Sequence, residues 1–520
     1  MRRTIESRII AALDSGQQTR LHRNQSMLAR DEKGRVQDPD AIQLLMHYAL
    51  EPDKIQSEMN YLDGLKNDAG ESFARSKGKF SDIEEQVASF EAQEKPSFQW
   101  NQHYQAALRK VMERYAPAHL RMIEYSSDKD IYEAVTDWST SAGWSGILNE
   151  GRNKKKHYLR DIYPTLLEKE AEAKANGSFQ TPIVCWFRTQ GSGAYDELGN
   201  HTNTWKSKKR LVFIDDLYSV ASGRRFIAPL TEFMKNYEFT AVGKDDYWIS
   251  SWVNAYRLKG WNFISLDYSK YDSTIPSWLI HDAFRVIRSA FYQFDEELLS
   301  VLESDFIHKN VFTGDGLHHF DHGNVSGSAF TTVVNCICNE IITETWLSYL
   351  GWTAKYNIMG DDNLIYISRN VDERLVASIG SYIVHNFGVK VNPDKSSFGT
   401  AKDYPEYLSR IWKPSGAWRC TGEVIAHLWF PEKKRKYEQD LLTPALVLYS
   451  YILSVPSSMR EIMDVAKFER DYRLSFSEIE WTKEMREAVP YNVRLAVESG
   501  RSFVASKREY WETNREALLA

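Results

Sequence analysis

The chain has 520 residues, with 65 Lys and Arg against 71 Asp and Glu and a formal net charge of −6. A chain this long buries a large core and divides into about two to four subdomains. Its 42% hydrophobic and 13% aromatic content excludes a disordered or fibrous protein, and without a global basic excess any nucleic-acid binding must rest on local clusters.

Cys185, Cys336, Cys338 and Cys420 form no CxxC pair, so neither a disulfide framework nor a zinc finger is expected. No apolar run reaches transmembrane length. The basic N-terminus lacks the apolar core of a signal peptide, and Glu6 and Asp14 argue against a mitochondrial transit peptide. A soluble, reducing compartment is the expectation.

Residues 1 to about 125 are mostly helical by pattern, with amphipathic faces at Val87-Ala88-Ser89-Phe90 and at Ala106, Ala107, Leu108, Val111 and Met112. Packing, including the bracing of distant parts of the molecule, is the expected role. Ser139-Thr140-Ser141-Ala142-Gly143-Trp144 is a loop of small hydroxylated residues followed by Arg152, Lys154, Lys155, Lys156 and Arg160. Hydroxyls and cations suit phosphate oxygens; the alternative is a flexible loop leading into a solvated helix face.

Residues 165–180 read as an exposed helix ending at Gly177, followed by a strand from Ile183 to Arg188 and a turn at Gly191 and Gly193. In Trp205-Lys206-Ser207-Lys208-Lys209-Arg210-Leu211-Val212-Phe213-Ile214 a basic cluster feeds into a buried-type strand. Cations on a rigid element suit a triphosphate better than loose surface attraction does, and Arg224 and Arg225 add charge.

A β-type run from Leu258 to Leu266 leads into Asp267-Tyr268-Ser269-Lys270-Tyr271-Asp272. Pro276 marks the first turn of a helix whose buried stripe takes in Trp278, Phe284 and Ile287. Asp267 thus ends a strand and can reach a metal held by a neighbouring hairpin; a surface Asp pair is the alternative. The tract holding Asp305, His308, Asp315, His318, His319, Asp321 and His322 has ligand chemistry but no closed zinc spacing, so a polar loop is expected.

Gly323-Asn324-Val325-Ser326-Gly327-Ser328 is a small-residue loop running into a helix on which Thr331 and Asn335, four apart, share a face. The loop allows close backbone approach and the two polar side chains can read sugar hydroxyls; a Ser-capped helix with a satisfied buried Asn is the alternative. Tyr356 to Ile367 reads as a β-hairpin with Gly360-Asp361-Asp362 at its tip. The adjacent carboxylates repel each other, which a divalent cation relieves; a solvated acidic turn is the other reading. Beyond it come a strand and turn through Asn392-Pro393-Asp394-Lys395-Ser396, and a strand pair from Tyr407 to Trp412 turning near Pro414 to Gly416. From about residue 420 the pattern is helical, with Trp429, Phe430, a basic Lys433-Lys434-Arg435-Lys436 and Tyr437.

In this order the motifs resemble those of the viral RNA-dependent RNA polymerases. Asp267-x4-Asp272 is similar to the first palm motif, Ser326-Gly327-x3-Thr331-x3-Asn335 to the second and Gly360-Asp361-Asp362 to the third. Asn392 to Ser396 resembles the fourth, Tyr407-Leu408-Ser409-Arg410 the fifth, and Lys208-Lys209-Arg210-Leu211 with Arg188 the basic fingers motif. Thr140-Ser141-Ala142-Gly143 resembles the loop at the template entrance.

The resemblance implies an α+β closed right hand with an antiparallel palm sheet and largely helical fingers and thumb. It implies an N-terminal region and fingers at 1–228, palm at 229–303, a fingers insertion at 304–325, palm again at 326–418 and thumb at 419–520. Two Mg²⁺ ions, replaceable by Mn²⁺, would lie between Asp267 and Asp361 with Asp362 adjacent. Lys208, Arg210 and Arg188 would hold the incoming triphosphate, and Lys395 is the candidate general acid for the leaving pyrophosphate. Asp272, Ser326 and Asn335, with Gly327 and Thr331 of the same motif, would recognise the ribonucleotide. Thr140, Ser141, Gly143, Lys154, Lys155 and Arg410 would contact RNA.

Implied partners are RNA template and nascent RNA, ribonucleoside triphosphates and a viral capsid protein, for a monomer working in the virion interior or host cytoplasm. A freestanding chain opening at Met1 resembles the picobirnavirus and partitivirus type, while the Asp267 and Lys395 motifs lean towards picornaviruses, whose processed N-terminal glycine Met1-Arg2 does not match. A reverse transcriptase is the enzymatic rival; the Met359-Gly360 and polar Asp272 of this chain depart from its usual aromatic and steric gate. A non-catalytic RNA-binding virion protein is the other rival.

Overall fold

The computed structural model describes residues 37–74, 84–92, 94–135, 138, 140–149, 153–196, 198–313, 316–431 and 442–481, with 485, 489, 493 and 497. The expectations for residues 1–36, Ser139, Arg152, Asp315 and the basic run at 433–436 lie outside them. In chain order the elements used below are α1 (Gln102–Tyr115), β1 (Ile183–Ser192), β2 (Lys206–Ile214), α2 (Leu217–Asn236), β3 (Asn262–Leu266), α3 (Ser277–Ala290) and α4 (Glu296–Ile307). There follow β4 (Lys309–Phe312), β5 (Leu317–Phe320), α5 (Thr331–Leu350), β6 (Lys355–Met359), β7 (Asp362–Ile367) and β8 (Ser397–Gly399).

Two sheets organise the molecule. One is antiparallel, ordered β8–β3–β7–β6, and pairs Asn363 with Leu266 and Asp362 with Met359. The apolar core of β7, from Leu364 to Ile367, is fully buried, as a central strand covered on both faces requires. The other sheet is ordered β2–β1–β4–β5, with β1 and β4 parallel and the remaining pairs antiparallel. Exposure alternates along the basic half of β2, so Lys206, Lys208 and Arg210 share the open face and Phe213 faces the core.

Helix α5 is the spine, buried along nearly its whole length from Val333 to Leu347. Each fully buried aliphatic side chain contributes about 1.5–3 kcal/mol relative to exposure. Two carboxylates on α5, Glu340 and Glu344, lie in this core, and α1 neutralises them: Arg114 meets Glu340 at 2.8 Å and Lys110 meets Glu344 at 2.7 Å. Charges so placed are tolerated only when paired, which ties the N-terminal region to the helix beneath the Gly360 hairpin. Farther upstream, helices Pro39–Tyr48 and Pro52–Gly64 share a core with residues 424–468. Backbone bonds from Asp38 to Trp429 (3.0 Å) and from Leu50 to Ile462 (2.9 Å) close that junction.

Three sequence expectations change. Leu258 closes a helix, Asp246–Leu258, and the strand starts only at Asn262 after a turn at Gly260. The helix expected over 165–180 ends at Gly177 as expected, that glycine lying in the left-handed region, but it starts earlier, at Ile162, and buries one face through Leu166, Glu170 and Ala173. The His/Asp tract expected as a polar loop contains the end of α4 and the β4–β5 hairpin, since buried Val311, Phe312 and Phe320 anchor it to the basic sheet. Among the described residues no helix is long and apolar enough to cross a membrane.

Candidate active site

The turn between β6 and β7 is two residues long, Gly360 and Asp361, with φ of 64° at Gly360. A positive φ at the first central position is the hairpin geometry that glycine adopts without steric cost. Asp361 is therefore lifted to the exposed tip, and Asp362 opens β7 half-buried. The tip is also tied from below. Asn339 of α5 donates to the carbonyls of Gly360 (3.0 Å) and Asp361 (3.2 Å), while Gly360 N donates to Cys336 Sγ (3.2 Å). Asn363 accepts from Leu266 N (3.1 Å) and donates to Tyr268 OH and Asn339 Oδ1 (both 3.2 Å). These buried amides set the height of the hairpin against β3.

That register delivers Asp267, one residue past β3, to the side of Asp361 and Asp362. Although the Asp361 side chain reaches the surface, the protein packed around the tip desolvates its carboxylate, and this and then the Asp267 charge push it above the ordinary carboxylate range. Burial, Asp361 and Asp267, in that order, push Asp362 up to about 7. None of the three is closed off by an ion pair among the described residues. Converging, mutually repelling carboxylate oxygens are the donor set that hard divalent cations such as Mg²⁺ and Mn²⁺ take, so these residues fit the metal that the motifs imply.

Cations flank the carboxylates. Lys208 is pressed below the usual lysine range by burial and by neighbouring Arg210 and Lys395, with Asp267 opposing. Arg188 stands directly across from Arg210 in the β1–β2 register, exposed. Lys395 is brought there by its turn: Asn392 N donates to Asp267 O (2.7 Å) and Asp267 N to Ser396 Oγ (3.0 Å). Lys395 is exposed and makes no ion pair with Asp394 among the described residues, and its charge is felt at Lys208.

Asn335 Nδ2 donates to Asp272 Oδ1 at 2.8 Å, which joins the first and second motifs in one polar unit. Burial raises the Asp272 carboxyl to about 6, against the Asn335 hydrogen bond, which lowers it. Ser326 Oγ accepts from Phe213 N (3.0 Å), and Gly327 lies so close to β2 that a Cβ there would meet Phe213 O at 2.2 Å. The Thr331 hydroxyl donates within the loop, to the carbonyls of Val325 and Ser328, and so closes the loop on the helix.

The entrance loop reaches the same strand end. Ala142 N donates to Asn153 O, Lys155 N to Thr140 O, and Ser141 bridges Lys154. Gly143 packs over Asp215, and Ala142 O accepts from Leu217 N (3.2 Å). Thr140 and Lys154 remain exposed. Arg410 goes elsewhere: its guanidinium pairs with Asp246 at 2.5 Å, half-buried.

Sequence reasoning missed Asn324, Asn339, Asn363 and Asp215. Asn324 Nδ2 donates to Asn335 Oδ1, which orients that amide toward Asp272. The available signals were a buried-type polar residue beside the acidic pair, for Asn363, and the four-residue step from Asn335, for Asn339.

Asp215 carries no such signal. Burial, with Asp216 charge adding to it, raises its carboxyl to about 7, although Asp216 N (2.8 Å) and Ser219 Oγ (3.0 Å) donate to it. Between the ordinary carboxylate range and about 7 the folded chain keeps this proton and the unfolded chain has lost it. This group's share of stability therefore falls as pH rises through that window, by on the order of 1 kcal/mol per pH unit. Denaturant unfolding at pH 5 and pH 7 should show Asp215→Asn losing less stability than wild type over that interval. Equal losses would remove Asp215 as the source.

Residues 62–428 match the family model described as viral RNA-dependent RNA polymerase. The chain is 31% identical over 289 residues to the genome polyprotein of human parechovirus 5, covering 52% of the chain and 12% of the polyprotein. It is 30% identical over 213 residues to that of Ljunganvirus 1 (37% and 9%), and 25% over 232 residues to the RNA1 polyprotein of broad bean wilt virus 2 (39% and 12%). The chain thus spans about a tenth of the length of these curated relatives. The crystal structure of the RNA-dependent RNA polymerase of a human picobirnavirus has a similar fold, with a TM-score of 0.63, 12% identity, and coverage of 94% of this chain and 96% of that one. An insertion-loop deletion mutant of a human picobirnavirus polymerase gives a TM-score of 0.60 at 12% identity, over 95% and 94% of the two chains. The right-hand architecture expected from the motif order is the fold of these structures.

Proposed function

The chain belongs to the viral RNA-dependent RNA polymerase family, and we propose that it adds ribonucleotides to a nascent RNA strand under direction of an RNA template. The observation that carries this reading is the meeting of Asp267, Asp361 and Asp362 beside the cationic face of Lys208, Arg210 and Lys395. Phosphoryl transfer needs little covalent chemistry from the protein and much positioning and charge stabilisation.

Asp267 and Asp361 would hold two Mg²⁺ ions, or Mn²⁺ in their place, with Asp362 supporting. Bound there, the ions would supply Lewis-acid stabilisation of the attacking and leaving oxygens. Lys208 and Arg210, with Arg188 across the strand pair, would bind the triphosphate of the incoming nucleotide. Lys395 Nζ would give its proton to the pyrophosphate as it leaves. Asp272, Asn335 and Ser326 would hold the ribose hydroxyls, of which deoxyribose lacks the 2′-hydroxyl. Gly327 and Thr331 would shape that loop. Thr140, Ser141, Gly143, Lys154 and Lys155 would guide the template.

In this reading residues 1–228 and 304–325 form the N-terminal region and fingers, 229–303 and 326–418 the palm, and 419–520 the thumb. The pairing of Arg410 with Asp246 favours a role for Arg410 in holding the palm's edge over a free RNA contact. The enzyme would replicate and transcribe a viral genome as a monomer in the host cytoplasm, and beside capsid protein in the virion.

The test is incorporation of labelled ribonucleotides on an RNA template with Mg²⁺ or Mn²⁺, with chelated, DNA-template and deoxynucleotide arms. Ribonucleotide product on RNA alone, lost on chelation, is expected. Deoxynucleotide product would favour a reverse transcriptase, and RNA binding without product in any arm a non-catalytic virion protein.

Asn335→Ala should narrow the preference for ribo- over deoxynucleotide kcat/KM by about 10-fold or more, because Asp272 loses its partner and the sugar loses a donor. Retained preference would take Asn335 out of sugar recognition.

A further inference from the structure

Away from the aspartates, the β4–β5 hairpin gathers a second set of ligating side chains. His308 follows α4, His319 lies on β5, and Asp321 follows β5. One ligand atom from each, two imidazole nitrogens and a carboxylate oxygen, lies within 4.8 Å of the other two. The carboxylate is shared: Asp321 Oδ1 is 3.0 Å from His308 Nδ1 and 2.7 Å from His319 Nε2.

A second observation concerns the proton on His319. Asn310 of β4 stands directly across from His319 in the hairpin register, and its Oδ1 is 3.1 Å from His319 Nδ1. An amide oxygen only accepts, so the imidazole must donate through Nδ1. Nε2 is then turned to Asp321 Oδ1 at 2.7 Å, where a neutral ring presents its lone pair and a protonated ring donates to the carboxylate. Metal-binding histidines are held in this way, with the far ring nitrogen donating to an oxygen and the near one left free to ligate.

We propose that His308, His319 and Asp321 form a divalent transition-metal site of zinc type, oriented by Asn310 and separate from the catalytic carboxylates. Two imidazoles and a carboxylate are borderline donors that favour zinc over Mg²⁺. Tetrahedral ligands at zinc distances stand roughly 3.3 Å apart, so the side chains need adjust by only about 1 Å. Three protein ligands leave the fourth position to water. Asp321 lies two residues before Gly323, and Lys309 Nζ already donates to Gly323 O at 2.8 Å, at the foot of the loop that carries Ser326 and Gly327. A cation here pins the end of α4 to that foot. The site is therefore a clamp on the base of the nucleotide loop.

The experiment is calorimetric titration of Zn²⁺ into the chelator-stripped full chain, with Mg²⁺ in excess throughout to occupy the hard-oxygen site. Expected are about one equivalent of Zn²⁺, affinity lowered about 100-fold or more in His319→Ala and Asp321→Asn, and about 10-fold in Asn310→Leu. Asp361→Asn should bind Zn²⁺ as wild type does. Because Asp321 is exposed and His319 and Asn310 are only half-buried, the variants should melt close to wild type without metal. Zn²⁺ should also slow hydrogen exchange over residues 308–323 in wild type only. A cluster held by a proton alone, imidazolium against carboxylate, predicts no saturable uptake. That result, or uptake surviving His319→Ala, overturns the proposal.

Discussion

Asp361→Asn is expected to lower ribonucleotide incorporation by about 10³-fold or more, with the fold intact. The substitution is nearly isosteric, at an exposed hairpin tip whose backbone is held by Asn339 and Cys336, so it removes charge and leaves architecture. With Asp361 neutral, the carboxylate beside Asp362 and Asp267 is gone, and the Asp362 carboxyl should relax downward from about 7. The variant should melt at or slightly above the wild-type temperature in metal-free buffer, because mutual repulsion is relieved. Solvent screening at the tip limits that gain to about 1 kcal/mol. Added Mg²⁺ or Mn²⁺ should then stabilise wild type more than the variant. Lost activity with a retained, metal-insensitive fold is the signature of a cation ligand. Equal product from the two proteins in a labelled-nucleotide assay would end the polymerase reading.

Gly327→Ala should be nearly as damaging, by a different route. The added Cβ would lie 2.2 Å from Phe213 O, 2.6 Å from Phe213 C and 2.9 Å from Asp215 N, all backbone atoms with no rotamer to yield. The loop must lift off the end of β2, and the hydrogen bond from Phe213 N to Ser326 Oγ breaks with it. Overpacking of this kind costs about 1–3 kcal/mol where the structure relaxes. The larger effect falls on turnover, since the loop that positions Ser326 and Asn335 against Asp272 is displaced, and a misplacement of about 1 Å costs on the order of 10²-fold. Nucleotide kcat/KM measured beside urea unfolding separates the two effects. A variant with wild-type kcat/KM would show that the close approach is incidental.

Much of the candidate site was legible because it is written in local terms. Turn chemistry at Gly360-Asp361 follows from one residue's tolerance of positive φ, and the open cationic face of Lys208 and Arg210 follows from the two-residue period of a strand. The step from Thr331 to Asn335 follows from the helical turn. The helix boundary at Leu258 was misread because a short apolar run suits either state, and packing of Ile249 and Trp252 against Phe263, Leu364 and Tyr366 decides it. The hairpin at 309–320 was read as a polar loop because its His and Asp residues mask the buried Val311, Phe312 and Phe320 that seat it on the basic sheet.

The sequence by itself determined that this chain carries an acidic hairpin, a basic strand, a glycine loop leading into a helix, and a lysine turn, in one order. Only the tertiary structure decided which of these meet. β3 pairs with β7 in the register that sets Asp267 beside Asp361, buried Asn339 and Asn363 hold that register, and α1 neutralises Glu340 and Glu344 under it. It also committed Arg410 to Asp246 and drew His308, His319 and Asp321 together. The physical reason is one of range. Backbone preferences act over a few residues, whereas desolvation and charge pairing are set by whatever distant segment the packed core brings into contact.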